Sequence, residues 1–488
     1  MRILLVEPPV SPFDVATAAF ALPPPHHLER LAGALIRDHD VRILDMRIED
    51  NLQEHVEGFR PHMVGCSCVA ANYHLARAVL ETAKACDSEI FTVVGGHHPS
   101  LVPENCNDPS IDFVVVGEGE ITLRELAGAC DRREDVAGVK GIGYRRGSGE
   151  FVLTPPRELA DLDSLPAAAR HLTERHRKRN RYYRASWRPT DCVISSRGCP
   201  YRCKFCGMWK INHGRYRVRH PQLVADEIES IWEPYVNFID DNTLDHVPNA
   251  YRLAEILRER GIQKTYEFYG RADTVVRHPD LIEKLRGVGM KLLLLGLESC
   301  DQEALNGMNK KMSTEANKKA IRICHANDVE IVAYLIVDPA FGRDDFRRLS
   351  DYVAENKLTH PVFTILSPFP GTDLYNEVKG TLITDSFKLI DFYHTVMPTK
   401  LPLDEFYDEF LGLYRKAYPF RRFLLSALQT RSVLSPKNVL MNLRVRKRMS
   451  ELRSHHDIVA DAPPPRDSDW NRENSEIAEE RQLAEPLA

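Results

Sequence analysis

Short apolar runs alternate with amphipathic segments along two long stretches of the chain, and this alternation limits the fold more than any other feature. In residues 1–150 the apolar runs are RILLVE, VRILDM, MVGCSCV, IFTVVGG and FVVVGEG, separated by helical patterns such as YHLARAVLETAKAC. Strand and helix repeating at this spacing is typical of a parallel, doubly wound sheet. We therefore predict an α/β domain over residues 1–150.

Glycine and proline follow several of these predicted strands. The positions are Pro8, Gly95, Gly96, Gly117 and Gly119. In open α/β sheets, ligands bind outside the carboxyl ends of the strands, where such residues let the backbone approach closely. We expect a ligand site along this edge.

The second alternating stretch runs from about residue 192 to residue 366. Its strand candidates are CVISS, VNFID, YEFYGR, KLLLLGLES, EIVAYLIVD and FTILSP, with helical patterns such as AYRLAEILRERG between them. Six β/α units predict a parallel barrel or partial barrel, which we place at residues 189–395.

The other segments are interpreted from composition. Residues 151–188 are rich in Pro, Arg and His, including RHRKRNRYYR, and are expected to form a solvated, charged linker. The pattern LDEFYDEFLGLYRKAY predicts a helical region within residues 396–456. Residues 457–488 are rich in Pro, Asp and Glu and are expected to be a disordered tail.

Composition excludes several classes of protein. A hydrophobic content of 43% with 28% charged residues is typical of globular chains, and a net charge of −5 gives no reason to expect nucleic acid binding. The most apolar stretch, MKLLLLGL, is far shorter than the roughly 20 residues of a membrane-spanning helix. The opening MRILLVEPP lacks the pattern of a secretory leader, so we expect a cytoplasmic protein.

The cysteines carry the sharpest motif. There are eleven, an odd number that argues against a disulfide scaffold. Cys199, Cys203 and Cys206 follow the predicted strand CVISS with C-x3-C-x2-C spacing. Three thiolates on one loop can bind three irons of a cubane cluster and leave the fourth iron open, whereas a structural zinc site needs four ligands. The motif therefore indicates an iron–sulfur cluster.

The segment SSRGCPYRCKFCGMW resembles the radical S-adenosylmethionine (SAM) superfamily, including the aromatic Phe205 before the third cysteine. This resemblance implies that Cys199, Cys203 and Cys206 bind a [4Fe-4S] cluster and carry the first catalytic step. In that family the open iron binds SAM, and one-electron reduction gives a 5′-deoxyadenosyl radical that abstracts hydrogen from an unactivated carbon.

The resemblance also assigns roles to later strand ends. The segment FIDDN implies that Asp240 and Asp241 lie near the substrate amine, GRAD implies that Arg271 approaches SAM, and LGLES implies that Glu298 holds its ribose or amine. The alternatives are an ion pair at the barrel rim for Arg271 and a strand-end cap for Glu298. The fifth strand departs from the family, because Asp338-Pro339 replaces its glycine-rich adenine motif.

The N-terminal region resembles the Rossmann-like cobalamin-binding domain that precedes the barrel in one radical SAM class. The matching segments are LLVEPP, PPPHHLERLAGAL, GCSCVAANY, VVGGHHPSLVPE and VVVGEGE. The resemblance implies cobalamin contacts from these segments, at Pro8, Ser67, Gly95, Gly96, His97, Gly117, Glu118 and Gly119. The D-x-H-x-x-G signature is missing, so we favour cobalamin without a histidine ligand. A sheet that binds a nucleotide, or nothing, is the alternative, and the absence of G-x-G-x-x-G after the first strand argues against a dinucleotide.

Together these resemblances imply a methyltransferase that uses SAM, a [4Fe-4S] cluster and methylcobalamin, with ferredoxin or flavodoxin as electron donor. The region after the barrel is similar to that of hopanoid C-3 methylases and of bacteriochlorophyll and phosphinate methylases, which implies a small-molecule or lipid substrate. A non-methylating cyclase or oxidoreductase and a non-enzymatic cobalamin or redox sensor are the alternatives. The basic, partly apolar residues 420–456 suggest peripheral membrane contact. The alternative is an ordinary amphipathic helix that packs on the barrel.

Overall fold

The computed structural model describes residues 1–14, 21–147, 149–185, 187–418, 447 and 449–461. The strands are β1 Arg2–Glu7, β2 Ala21–Leu22, β3 Asp40–Asp45, β4 Met63–Ser67, β5 Phe91–Gly95, β6 Phe113–Val115, β7 Ile142–Arg145, β8 Phe151–Leu153, β9 Tyr183–Arg184, β10 Thr190–Val193, β11 Ser196–Arg197, β12 Arg217–Val218, β13 Tyr235–Phe238, β14 Thr265–Gly270, β15 Met290–Glu298, β16 Glu330–Val337 and β17 His360–Ile365. The α-helices are α1 His26–Leu35, α2 Leu52–Phe59, α3 Tyr73–Cys86, α4 His97–Leu101, α5 Gly119–Arg132, α6 Glu174–Arg177, α7 Met208–Ile211, α8 Pro221–Ser230, α9 Val247–Glu259, α10 Ala272–Arg277, α11 Pro279–Gly287, α12 Gln302–Gly307, α13 Thr314–Ala326, α14 Arg343–Glu355, α15 Asp373–Val378, α16 Leu403–Ala417 and α17 Ser454–Asp461.

The N-terminal sheet has seven strands in the order β3-β1-β4-β5-β6-β7-β8. The first five strands of this order are parallel, which confirms the doubly wound prediction. The last two add an antiparallel edge that we did not predict. The loop between β7 and β8 is too short for the crossover that a parallel pair requires, so these strands form a hairpin. Apolar side chains fill both faces of the sheet.

The second sheet has six parallel strands in the order β10-β13-β14-β15-β16-β17. All six predicted strands are present, and the partial barrel is confirmed. Within the described residues β10 and β17 are the two edges of an open sheet. One large core lies between the helices and one face of this sheet, and includes Phe238, Phe268 and Phe363.

The predicted solvated linker is solvated only in part, because several of its arginines are buried or half-buried. Arg177 is only 3% exposed and donates to Glu29 of α1 (2.8 Å), Asp191 of β10 (3.0 Å) and Glu233 before β13 (2.9 Å). Further along, Arg184 forms a bidentate pair with the fully buried Glu267 of β14, at 2.8 and 2.6 Å. Arg177 and Arg184 of this segment are therefore counter-ions for acidic groups of both domains.

The described part of the C-terminal region contains helices α16 and α17. The predicted amphipathic helix is α16, whose Phe406 and Phe410 are buried against the second sheet's core. Helix α17 continues to Asp461, so its end lies inside the segment expected to be a disordered tail. Most of the basic segment 420–456, and residues 462–488, lie outside the described residues.

All eleven cysteines lie within the described residues, and each is a free thiol. No described helix is both long enough and apolar enough to cross a membrane.

Candidate active site

The three motif cysteines lie on the loop between β11 and α7, at the carboxyl end of the second sheet. The loop is fixed by its own backbone and by its neighbours. The Cys206 N–H donates to the Cys203 carbonyl (3.1 Å), which also accepts from the Trp209 indole (3.2 Å). The Lys204 N–H donates to the Met308 carbonyl, and Asn309 donates to the Arg202 carbonyl. These bonds hold the loop without using the thiols.

Burial raises the pKa of all three thiols, in the case of Cys206 to about 12. At Cys203 the buried cations Lys310 and Arg271 oppose this rise in pKa, whereas the Glu298 carboxylate adds to it. Metal binding requires thiolates. The two cations therefore compensate the negative charge that a ligated cluster would bring into this buried loop.

The spacing of the thiols does not suit a single metal ion. Among the described residues, the only three potential ligands whose atoms all lie within 4.8 Å of one another are His26, Glu29 and Asp191. Both carboxylates of that trio are paired with Arg177. A tetrahedral zinc holds its sulfur ligands roughly 3.8 Å apart, as follows from a Zn–S bond of about 2.3 Å. The three motif thiols are not all within 4.8 Å of one another, a spacing that is compatible with the larger cubane cluster.

Glu298 ends β15 in a strained conformation. Its φ of +60° is unusual for a residue with a side chain, and the register with β16 shifts at this point. The carboxylate, 7% exposed, accepts a hydrogen bond from Lys310 at 2.6 Å. Lys310 was not predicted as a site residue, because nothing in the segment NKKM distinguishes it from its neighbour Lys311.

Arg271 lies beside the cysteine loop. Its guanidinium is 3.4 Å from the ring centroid of Tyr201, inside the motif, and donates to the Lys310 carbonyl at 3.0 Å. It also pairs with Asp273 (3.0 Å). The structure therefore brings Arg271, Glu298 and the cysteine loop together, and their contact with SAM stays a prediction.

The two aspartates after β13 have different surroundings. Asp240 accepts from the Ser195 hydroxyl and from the backbone N–H groups of Ser195 and Ser196. Burial raises its pKa to about 6, although these hydrogen bonds oppose the shift. Asp241 accepts from the Gly198 N–H at 2.7 Å and also lines a cavity next to the N-terminal sheet. Asp240 thus fixes the chain before the cysteine loop, whereas Asp241 faces open space.

A cavity of about 440 Å³ lies between the carboxyl edge of the N-terminal sheet and the cysteine loop. Seven predicted cobalamin contacts line it: Ser67, Gly95, Gly96, His97, Gly117, Glu118 and Gly119. Pro8 is buried after β1 and is not among the lining residues. The opposite wall is formed by residues near the cysteines, including Ile194, Met208, Ile211 and Ile239.

Two glycines suit the cavity to a large, flat ligand. Gly117 has a φ of +83°, and a Cβ there would meet no atom within 4 Å, so any side chain would project into empty space. Gly96 has a φ of +107°, and a Cβ there would lie 2.4 Å from the Cys68 carbonyl oxygen. Glycine is required at both positions. The resulting edge of bare backbone fits a corrin ring.

Glu118 has a second role that the sequence did not indicate. Its carboxylate accepts from Arg197 and Arg217, both at 2.8 Å, and from the Ala160 N–H at 2.9 Å. Arg197 also pairs with the buried Glu120. Because Arg197 precedes Cys199 by two residues, this ion pair connects the two walls of the cavity.

Two family models match the chain, the B12 binding domain over residues 15–127 and the radical SAM superfamily over residues 193–353. The chain is also 30% identical over 447 residues to the hopanoid C-3 methylase of Methylococcus capsulatus, with 89% of this chain and 83% of that protein covered. The chain belongs to the cobalamin-dependent radical SAM methyltransferases.

Two further proteins are similar to the chain at lower sequence identity. The chain is 27% identical over 391 residues to the anaerobic magnesium-protoporphyrin IX monomethyl ester cyclase of Rubrivivax gelatinosus, covering 77% of this chain and 69% of that protein. The radical SAM methyltransferase TsrM of Kitasatospora setae, solved with cobalamin and a [4Fe-4S] cluster, has the same fold. Its TM-score is 0.66 at 18% identity, with 93% of this chain and 99% of that chain covered.

Proposed function

We propose that this cobalamin-dependent radical SAM methyltransferase adds a methyl group to an unactivated carbon of an apolar polycyclic substrate of the hopanoid class, at C-3. The observation that carries the proposal is the apolar lining of the cavity on the side of the cysteine loop. A relative named for hopanoid C-3 methylation, matched over most of both chains, supports the same substrate class.

The apolar lining is accessible. Ile239, directly after β13, is 39% exposed, and Val69, after β4, is 42% exposed, although both line the cavity. Ile194, Met208 and Ile211 lie on the same wall as Ile239, and Val69 lies on the side of the N-terminal sheet. Apolar side chains exposed in a cavity gain free energy when an apolar ligand covers them, at roughly 25 cal/mol per Å². A substrate with a hydrocarbon skeleton would cover these apolar side chains.

The cofactor sites flank that wall. We assign Cys199, Cys203 and Cys206 to the cluster, and Arg271, Glu298 and Lys310 to the surroundings of SAM. We assign Ser67, Gly95, Gly96, His97 and Gly117 to cobalamin. When bound, these cofactors supply the radical that removes a hydrogen atom and the methyl group that replaces it. The chain orients the substrate between them and excludes water.

Two partners complete the proposal. Reduction of the cluster needs a one-electron donor, for which a ferredoxin or flavodoxin is suited. A lipid substrate would favour peripheral membrane contact by the basic residues 420–456, most of which lie outside the described part of the chain. Liposome flotation of the full chain and of a chain lacking residues 420–456 tests this contact, and equal flotation of the two would contradict it.

The test of activity uses the reconstituted holoenzyme under anaerobic conditions with a hopanoid, a chemical reductant and SAM carrying a deuterated methyl group. We expect 5′-deoxyadenosine and a hopanoid that has gained the labelled methyl at C-3, identified by mass spectrometry and NMR. Formation of 5′-deoxyadenosine and an unmethylated, altered product would instead support a cyclase or oxidoreductase, as in the Rubrivivax relative. If the protein binds its cofactors but cleaves no SAM in the presence of any substrate tested, a sensor would be favoured.

A further inference from the structure

Phe392 has a strained backbone and a partly exposed side chain. Its backbone has a φ of +77°, a conformation that a bulky residue rarely adopts, and its side chain is 50% exposed. Glycine would occupy this position without strain and asparagine with little. Half of this strained aromatic side chain remains in contact with water, and such backbone outliers cluster at functional sites.

The surrounding chain holds Phe392 in place. Its carbonyl accepts from the Ile365 N–H at the end of β17 (2.6 Å). The Asp391 carboxylate accepts from the backbone N–H groups of Tyr393 and His394 and contacts the His394 ring at 2.9 Å. His394 in turn contacts His455 of α17 at 2.9 Å. Helix α17 therefore fixes the backbone on which the Phe392 ring is presented.

The ring lies next to a second aromatic residue at the same edge of the sheet. The Phe369 and Phe392 centroids are 4.8 Å apart, with the rings inclined at 56°. Phe369 begins a tight turn, because its carbonyl accepts from the Thr372 N–H at 3.1 Å. We call this pair the aromatic rim.

The aromatic rim is connected to the cysteine loop by direct packing. Gly371, in the same turn as Phe369, packs so closely on Leu101 of α4 that a Cβ there would lie 2.8 Å from the Leu101 Cβ. Leu101 also packs on Gly207, the residue after Cys206. The Leu374 N–H donates to the Lys204 carbonyl, within the motif. The rim thus stands beside the place where the N-terminal domain meets the cluster loop.

We propose that Phe369 and Phe392 contact the apolar polycyclic substrate where it enters the active site, and that the strain at Phe392 is retained to present its ring to that substrate. This inference rests on the proposed function and deepens it by naming residues that select the substrate. A flat apolar skeleton packs well against two inclined aromatic faces. Polar substrates gain nothing from them.

The experiment measures binding to the holoenzyme without turnover. Equilibrium dialysis with a tritiated hopanoid carried in cyclodextrin compares wild type, Phe392→Ala, Phe392→Gly and Trp232→Ala. Trp232 is the matched control, an aromatic residue 55% exposed at the opposite end of the sheet, before β13. We expect both Phe392 variants to raise the Kd about 10-fold, as the loss of a partly buried aromatic contact does. Trp232→Ala should leave the Kd unchanged.

Thermal unfolding separates a binding role from a structural one. Phe392→Gly should have a higher Tm than Phe392→Ala, because both lack the ring and only glycine accepts the positive φ freely. A Kd that is equal in wild type and both Phe392 variants would overturn the inference, as would equal losses in Trp232→Ala.

A second probe, protoporphyrin, distinguishes failure of the rim from failure of the proposed substrate. If wild type binds protoporphyrin and no hopanoid, and the Phe392 variants lose that binding, the rim is supported and the hopanoid proposal is wrong. If wild type binds neither probe, the rim does not accept apolar polycyclic ligands and the inference is wrong.

Discussion

Glu118 in the N-terminal domain and Arg197 in the radical SAM domain form an ion pair at 2.8 Å. Arg197 lies two residues before Cys199, the first motif cysteine. The pair joins the VVVGEGE segment, which lines the proposed corrin site, to the strand that leads into the cysteine loop. The pair therefore helps to hold the cysteine loop in place relative to the proposed corrin site, and methyl transfer depends on such positioning.

Replacement of Arg197 tests this connection. Arg197→Met removes the hydrogen bonds to Glu118 and Glu120 and leaves buried carboxylates with fewer partners, which should lower the free energy of unfolding by about 2 kcal/mol. We also expect less iron per chain after reconstitution, because the cysteine loop loses its anchor. Arg124→Met is the control, since Arg124 forms an exposed pair with Asp38. Equal stability and iron content in the two variants would contradict the connection.

Each motif cysteine should be necessary for the cluster. Cys199→Ala, Cys203→Ala and Cys206→Ala should each abolish the visible iron–sulfur absorption and the formation of 5′-deoxyadenosine, because a cluster with two protein ligands is not retained. Cys86→Ala, at an exposed thiol outside the motif, should have no effect on either. If a motif variant retained the absorption or still formed 5′-deoxyadenosine, the assignment of that cysteine as a cluster ligand would be contradicted.

Gly117 allows a test of the corrin site with an internal control. Gly117→Val should reduce cobalamin retained after gel filtration by about 10-fold, because the new side chain occupies the open side of the cavity. Gly149→Val introduces the same kind of backbone strain, since Gly149 has a φ of +86° and open space around its Cβ, but it lies in the β7–β8 loop. Equal loss of cobalamin in both variants would show that strain, and not the cavity, is responsible.

His98 should make stability depend on pH. Its ring is 2% exposed, neither nitrogen has a hydrogen-bond partner, and burial lowers its pKa to about 4. The unfolded chain binds a proton near pH 6.5, so the free energy of unfolding falls as the pH drops from about 6.5 to about 4. Of this fall in the free energy of unfolding, about 3 kcal/mol is due to His98.

The variant His98→Phe tests that contribution. Its ring would lie between Tyr73 and Phe387, which contact His98 now, and the loss of stability on acidification should be smaller than in wild type by about that amount. Urea denaturation at pH 7 and pH 4.5 measures the difference, with His171→Phe at an exposed site as control. A pH dependence that matches wild type would rule out this role for His98.

Arg177 should be among the most costly residues to replace. Arg177→Met leaves Glu29, Asp191 and Glu233 buried with one cation fewer, and we expect a loss of about 4 kcal/mol in the free energy of unfolding. Urea denaturation followed by circular dichroism provides the measurement. Arg179→Met, two residues away and exposed, should change stability by less than about 0.5 kcal/mol, and a similar loss in both would contradict the buried network.

Local sequence patterns predicted most of the fold. Each parallel strand of the two sheets reads as an apolar run bounded by turn residues, so β1 and β15 were visible without any tertiary information. The C-x3-C-x2-C motif was equally visible, because all of its chemistry lies within eight residues. The structure places Arg271 and Glu298 near this loop, where the family pattern put them.

The residues that the sequence did not reveal act through distant partners. Lys310 is recognisable as a site residue only by its pairing with Glu298, and Arg197 only by its pairing with Glu118. Neither contact can be predicted from the local pattern of apolar and polar residues. The basic linker was misread for the same reason. A run of arginines has the composition of a solvated segment, and only the position of Glu29, Asp191 and Glu267 in space shows that their counter-ions lie in it.

The buried arginines of the linker have a consequence for engineering and for inheritance. A B12-binding half grafted onto the barrel of another enzyme would bring Glu29 without Arg177, or Arg177 without Asp191, and so would carry uncompensated charge into the new junction. Recombination between relatives of this protein must therefore exchange residues 170–191 together with their partners in both halves. Residues 170–191 lie between the two domains, and their ion pairs tie them to both, so they are expected to evolve together with both domains.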